Sequence, residues 1–373
     1  MRFCLYSPYF PKHFGGGEKY LLDVAQVLAH YGQVELAVAG SELDEAKARR
    51  IFKQYERFMG QSLHQLRLVN SPLGTTASFW RKLRWTRQYD LLYYLTDGSF
   101  FLSWARRNVM HIQVPLTRAP LTPWERVKRL SWHFINTNSI FTKQTVEKYW
   151  HLPVNAVHWP MVDVVQFQLL SEQLKKENII LHVGRFFRQM HSKRQDVLVR
   201  FFAHLLERYP QESRGWKLVL VGAVEDREFA KEVKAAARGL PVTIVHSVSR
   251  LELDRWYARA KIYWHATGYG ASEEKYPAKM EHFGISTVEA MASGAVPVVI
   301  GKGGQPEILG KELKELLWQD EKTCLEKTVE LMNNTAKLAL LAQKAQVRSQ
   351  RFGPQAFEDN VVAMLGKLGL LVS

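Results

Sequence analysis

A chain of 373 residues, 46% hydrophobic and 23% charged, has the composition of a folded protein and the length for two domains. No apolar run approaches about 18 residues, so no transmembrane helix is expected, and two cysteines, Cys4 and Cys324, can build neither a disulfide framework nor a cysteine metal site. The net charge of +15 favours anionic partners: nucleic acid, phospholipid surfaces or phosphorylated small molecules.

The opening stretch, MRFCLYSPYFPKHFGGGEKY, lacks the layout of a secretory signal, and with so few cysteines a reducing cytoplasm fits. An apolar run, Phe3 to Tyr6, precedes Gly15, Gly16 and Gly17. Tyr20, Leu21, Val24, Val27 and Leu28 then follow at helical offsets, and VELAVAG (34–40) reads as a strand. Strand, glycine turn, helix and strand begin a parallel α/β domain. YDLLYYL (89–95), VMHIQVP (109–115) and FINTNS (134–139) are further strands. QLKKE (173–177) closes this run as a linker. NIILHVGRF (178–186), KLVLVGA (217–223), VTIVHSV (242–248), AKIYWHA (260–266) and VPVVI (296–300) repeat the pattern, with a helix over 196–209. The expectation is α/β with two Rossmann-like domains facing across a cleft. The boundaries fall at 1–172 and 173–345, with a C-terminal helix over 346–373, after the breaker GPQAF (353–357), returning to the first domain.

The stretch EHFGISTVEAMASG (281–294) carries the clearest chemistry. A helix starting at Ser286 and Thr287 would aim its first N–H groups, and its dipole, at an anion such as a diphosphate. Gly284 would let backbone approach that ligand closely. Glu289 can accept from a ribose diol, or it can complete a capping box with Ser286. Glu281, ahead of the turn, would meet a sugar hydroxyl, or stand as a solvated loop acid. VGRFFRQMHSKRQ (183–195) supplies Arg185, Arg188, Lys193 and Arg194 after a buried strand, a phosphate clamp or a solvated basic loop. GGGE (15–18) does not meet the G-x-G-x-x-G dinucleotide fingerprint.

EHFGISTVEAMASGAVPVVI, followed by GGQPEI (303–308), resembles the E-x-F-G-x-x-x-x-E-A-M-A-x-G-x-P-V signature of family 4 retaining glycosyltransferases. GRF with Lys193, the N-terminal glycine loop, TNSIFTKQTVEKYW (137–150), HWPMVDV (158–164) and WHATGYG (264–270) follow in that family's order. The resemblance implies the GT-B fold, a nucleotide-sugar donor held mainly by the second domain, and transfer with retention and no metal or other cofactor. By position it implies that Arg185 and Lys193 neutralise the donor diphosphate, with Glu281 as the third catalytic residue, on the sugar hydroxyls. Glu289 would bind ribose, and the backbone of Phe283, Gly284, Ile285, Ser286 and Thr287 would meet phosphate or sugar. Gly16 and Gly17 would line the donor phosphate and acceptor side. Relatives carry H-F-P or H-Y-P where this chain reads HIQVP. His111 and Gln113, sharing a strand face, are therefore both acceptor-side candidates, with His111 as a satisfied strand histidine the alternative. The segment KYPAKM (275–280) before Glu281 looks like an inserted loop, consistent with the resemblance to mannosyl-transferring relatives that read N-E-H-F-G-I.

Residues 75–150 hold twelve Lys/Arg against four Asp/Glu, with Trp80, Trp85, Trp104, Trp124, Trp132 and Trp150 among them. FWRKLRW (79–85) and WERVKRLSWHF (124–134) suit an anionic membrane surface from which a glycan or lipid-linked acceptor is drawn. The expected location is then peripheral, at the inner face of the membrane. The alternative is that the tryptophans are core and the cations a solvated face. The rival functions are a GT-B nucleotide-sugar epimerase and a non-catalytic binding module. No zinc-finger, RNA-recognition or helix-turn-helix pattern occurs, so no nucleic-acid partner is expected.

Overall fold

A computed structural model describes residues 1–11, 15–40, 43–118, 122–189 and 192–371. The chain divides into two units, Met1–Met161 with Gln355–Ser373, and Val162–Pro354.

In the first unit the chain order is β1 (Arg2–Tyr6), α1 (Gly16–Ala29), β2 (Gln33–Ala39), α2 (Glu45–Met59), β3 (Leu66–Ser71) and α3 (Phe79–Thr86). Then come β4 (Leu91–Leu95), β5 (Arg107–Ile112), α4 (Pro123–Arg129), β6 (Phe134–Thr137), α5 (Ile140–Trp150) and β7 (Ala156–Val157). The strands form one parallel sheet in the order β3-β2-β1-β4-β5-β6-β7. Every residue of β4, LLYYL, is buried, as a parallel strand covered on both faces requires. On one face Tyr20, Leu21, Val24 and Leu28 of α1 join Phe3, Leu5, Leu36 and Tyr93 in a single apolar cluster.

The second unit runs α6 (Val164–Gln173), β8 (Glu177–Val183), α7 (Gln195–Arg208), β9 (Lys217–Val221), α8 (Arg227–Ala236), β10 (Val242–Val245) and α9 (Arg250–Arg259). It continues with β11 (Ala260–His265), α10 (Ile285–Ala292), β12 (Val296–Ile300), α11 (Gln305–Leu309), β13 (Leu317–Trp318), α12 (Glu321–Asn333) and α13 (Thr335–Ser349). Its parallel sheet has the order β10-β9-β8-β11-β12-β13. In both sheets the order reverses beside the first strand, at β1/β4 and at β8/β11. Doubly wound sheets bind ligands beyond the strand ends at this reversal.

The α/β class and the repeated Rossmann-like pattern are present in both units. The division lies at Met161/Val162 rather than after residue 172, because α6 goes with the second unit. Phe167 of α6 packs edge-on against Tyr257 of α9, ring centroids 5.6 Å apart. The last helix, α14 (Pro354–Lys367), begins at the proline of GPQAF, eight residues after the boundary expected at 346. Its Phe357, Val361, Met364 and Leu365 lie in the same apolar cluster as α1.

Candidate functional site

Lys193, Glu281 and His265 meet at the β8/β11 reversal. The Lys193 ammonium donates to Glu281 Oε2, and His265 Nε2 lies 2.8 Å from the same oxygen. Gly184, just past β8, makes this meeting feasible: a side chain there would come within 2.6 Å of Lys193 Cγ. Gln195, fully buried at the start of α7, donates to the carbonyls of Gly184 and Arg185 at 3.0 and 3.1 Å and fixes the turn. The Glu281 backbone is fixed too, its carbonyl accepting from Gly304 N–H at 2.8 Å.

Burial opposes the charge on Glu281, yet Lys193 and His265 hold its pKa well below the ordinary carboxylate value. Burial lowers the His265 pKa in turn, against the pull of Glu281. The neutral ring therefore donates Nε2–H to the carboxylate, which leaves Nδ1 as a bare, buried acceptor with no partner among the described residues. On the neighbouring strand His182 gives Nδ1–H to the Trp264 carbonyl at 2.9 Å. Burial, with His265 beside it, pushes the His182 pKa down to about 3. His265 had no assigned role at the level of sequence. The WHATGYG run pointed to the segment, but only the return of the chain between β11 and α10 brings Glu281 back to the ring.

The helix α10 starts at Ile285, one residue earlier than Ser286. Its N-cap is Gly284, at φ +122°, and no side chain caps it. A Cβ at Gly284 would stand 2.6 Å from Gln305 Nε2, so both the angle and the space call for glycine. Thr287 N–H already donates to the Gly284 carbonyl at 3.0 Å, so the N–H groups of Ile285 and Ser286 are the ones a helix start leaves to an anion. The side chains nearby are committed elsewhere. Ser286 Oγ takes the Tyr263 hydroxyl at 2.8 Å, Thr287 Oγ1 bonds Gln305 Oε1 at 2.9 Å, and Phe283 packs on Phe352. The capping-box alternative for Glu289 is not what forms: Glu289 lies in the second turn, buried, with Arg250 Nη2 2.9 Å from Oε1. Arg250 also reaches Asp254 at 2.8 Å, so one guanidinium holds both acids.

Arg185 follows Gly184 but turns to Glu225, at 2.8 and 3.0 Å, with half of its side chain exposed. The structure thus brings Lys193 and Glu281 into contact and places Arg185 and Glu289 on separate partners.

In the first unit Gly15 N–H donates to the Glu18 carboxylate at 3.1 Å, and Gly16 and Gly17 open α1. A side chain at Gly17 would lie 3.1 Å from Gln113 Oε1, so Gln113 sits over this turn. It lies just past the end of β5, whereas His111 is enclosed within the strand. The His111 ring stacks on Tyr20 at 3.9 Å, Nδ1 bonds Asn136 Oδ1 at 2.6 Å, and burial pushes its pKa down to about 3. Of the two acceptor-side candidates, Gln113 is the one beside the glycine loop.

Residues 168–348 match the family model for glycosyl transferases group 1. Among curated proteins, the chain is similar to the GDP-Man:Man(3)GlcNAc(2)-PP-Dol alpha-1,2-mannosyltransferases of Dictyostelium discoideum and Neurospora crassa. The first is 28% identical over 224 residues, 56% of this chain and 42% of that protein. The second is 29% identical over 222 residues, 50% of this chain and 37% of that protein. The chain spans less than half the length of these curated relatives. Among solved structures it is similar to Anabaena HepE in complex with UDP-glucose, with TM-score 0.65 and 18% identity over 98% of this chain and 99% of that one. A glycosyltransferase from Rickettsia africae gives TM-score 0.72 and 13% identity, covering 98% of each chain. At these identities the solved structures speak for the GT-B fold. Over residues 168–348, a little under half of its length, the chain is similar to the glycosyl transferases group 1 family.

Proposed function

We propose that this chain is a retaining, metal-independent glycosyltransferase that moves a hexosyl unit, mannosyl by preference, from a nucleoside-diphosphate sugar to a lipid-linked glycan. The observation that carries the reading is the buried carboxylate of Glu281, gripped by Lys193 and His265 beside the open tip of α10. The names of the curated relatives, transferases that use GDP-mannose and a dolichol-diphosphate glycan, support the donor and acceptor class over an epimerase.

In this reading the donor diphosphate settles on the N–H groups of Phe283 to Ser286 and draws Lys193 from Glu281. Arg185 leaves Glu225 to join it, and the two cations balance the charge that builds on the leaving group. Glu281, still held at Oε2 by His265, presents its other oxygen to a donor-sugar hydroxyl. Glu289, oriented by Arg250, accepts from the ribose. Gly16, Gly17 and Gln113 serve the acceptor side. The countercharge comes from side chains, so no metal is required.

The test is a panel of nucleotide sugars including GDP-mannose and UDP-glucose, incubated with and without a polyprenyl-diphosphate-linked glycan, in EDTA. Nucleoside diphosphate release and product mass are followed together. Acceptor-dependent release with one hexose added, at the donor's anomeric configuration, is expected. Release with an epimerised free sugar, or no turnover with any donor, would count against the reading.

A further inference from the structure

The basic aromatic stretches of the first unit play no part in the chemistry above, and the structure sorts their tryptophans into two groups. Trp132 and Trp150 are core, their indole N–H groups donating to the carbonyls of Phe101 at 3.1 Å and Leu116 at 2.7 Å, and Trp85 packs against the same core. The other three point outward. Phe79 is 42%, Trp80 65%, Trp104 49% and Trp124 54% exposed. These four are one patch: ring centroids are 5.4 Å apart for Phe79 and Trp80, 6.1 Å for Trp80 and Trp104, and 6.5 Å for Phe79 and Trp124. On the same helix as Trp124, Val127, one turn on, is 42% exposed, and Leu130, past the end of α4, is 82% exposed.

The patch is held in shape from beneath. Leu83 and Thr86 on the inner face of α3 are buried, and Trp104 N–H donates to Thr86 Oγ1 at 2.9 Å, tying its loop to that helix. A water-facing cluster of this size is unfavourable unless something covers it. Its rim says what kind of surface that is. Arg81, Arg84, Arg87 and Arg126 are exposed, and none has an ion-pair partner among the described residues. On α4 the acid Glu125 is engaged in capping Thr122. Indole rings with aliphatic tips inside a ring of unpaired guanidinium groups match the headgroup layer of an anionic bilayer. A single nucleic-acid strand would be served by separated stacking platforms, and these rings pack on one another instead.

We propose that Phe79, Trp80, Trp104 and Trp124, with Val127 and Leu130, insert into the interface of an anionic phospholipid membrane. Arg81, Arg84, Arg87 and Arg126 supply the attraction. The purpose of such docking, access to a lipid-linked acceptor, rests on the function proposed above; the docking itself does not. No helix among the described residues is long and apolar enough to cross a membrane, so the attachment is peripheral to the extent that these residues make it.

The experiment is co-sedimentation of the full chain with vesicles of phosphatidylcholine alone and of phosphatidylcholine with 30% phosphatidylglycerol, at low and high salt. Tryptophan emission is recorded in parallel. Binding to the anionic vesicles at low salt, with a blue shift, is expected, and at least a tenfold weaker partition on neutral vesicles. The W80S/W104S/W124S variant and, separately, the R81Q/R84Q/R126Q variant should each lose at least tenfold in partition. Lys193→Ala should bind vesicles as the wild type does, so a failed transferase reading leaves this result untouched. Equal binding by the tryptophan variant, or equal binding to neutral and anionic vesicles, would overturn the proposal. So would retention by a single-stranded oligonucleotide without retention by vesicles, or a dimer in solution that buries the tryptophans.

Discussion

Glu281 and Lys193 could be singled out in the sequence because they stand in the stretches that carry the family resemblance. The roles of His265 and Arg250 could not be read there, because they depend on which segments of the chain become neighbours. His265 reaches Glu281 only through the return of the chain between β11 and α10, and Arg250 reaches Glu289 from another helix. Replacing His265 tests its part directly. His265→Leu removes the donor from Oε2 and leaves a buried carboxylate short of a partner. A lost hydrogen bond to a charged group costs about 1.5–3 kcal/mol, so donor-dependent kcat/KM should fall roughly ten- to a hundredfold. His265→Gln, whose amide nitrogen can stand where Nε2 stands, should recover most of that loss. A glutamine variant as impaired as the leucine one would reduce His265 to a packing role. The enclosure of His111 likewise follows from contacts with Tyr20 and Asn136, which strand periodicity alone could not reveal.

Among the elements, the buried parallel strands were the easiest to read. β4, β8, β11 and β12 are near-continuous apolar runs because both their faces are covered. β7 and β13 were missed, being two residues long and too short to show a period. β3, LRLVNS, was missed because its burial is uneven along its length. The start of α10 was misplaced by one residue because its cap is a backbone conformation rather than a side chain. Gly284→Ala should therefore be costly. Alanine at φ +122° against Gln305 would destabilise the second unit by about 1–3 kcal/mol and move the tip of α10. The expected readouts are a melting temperature lower by several degrees and weaker nucleotide-sugar binding. Unchanged melting and affinity would mean that the loop accommodates a side chain and that its geometry is not what positions the helix.

For the whole molecule, the buried histidines set a common pH dependence. Burial pushes the pKa values of His111 and His182 down to about 3 and of His158 to about 4, against about 6.5 in an unfolded chain. Between those values the unfolded chain binds more protons than the folded one, so stability falls as pH drops below about 6.5. The depressed pKa of Glu281 acts in the same direction at lower pH. Melting temperatures should decline steadily from pH 7 to pH 5; a flat profile would place these rings in contact with water. The central claim, that Lys193, Glu281 and the tip of α10 together hold a nucleoside-diphosphate sugar, is tested most directly by titration calorimetry with GDP-mannose. Wild-type binding in the micromolar to millimolar range is predicted, about as for enzyme substrates in general, with Lys193→Ala and Glu281→Gln each weakening it by at least about tenfold. Identical binding by wild type and both variants, or no binding of GDP-mannose or UDP-glucose by the wild type, would contradict the account.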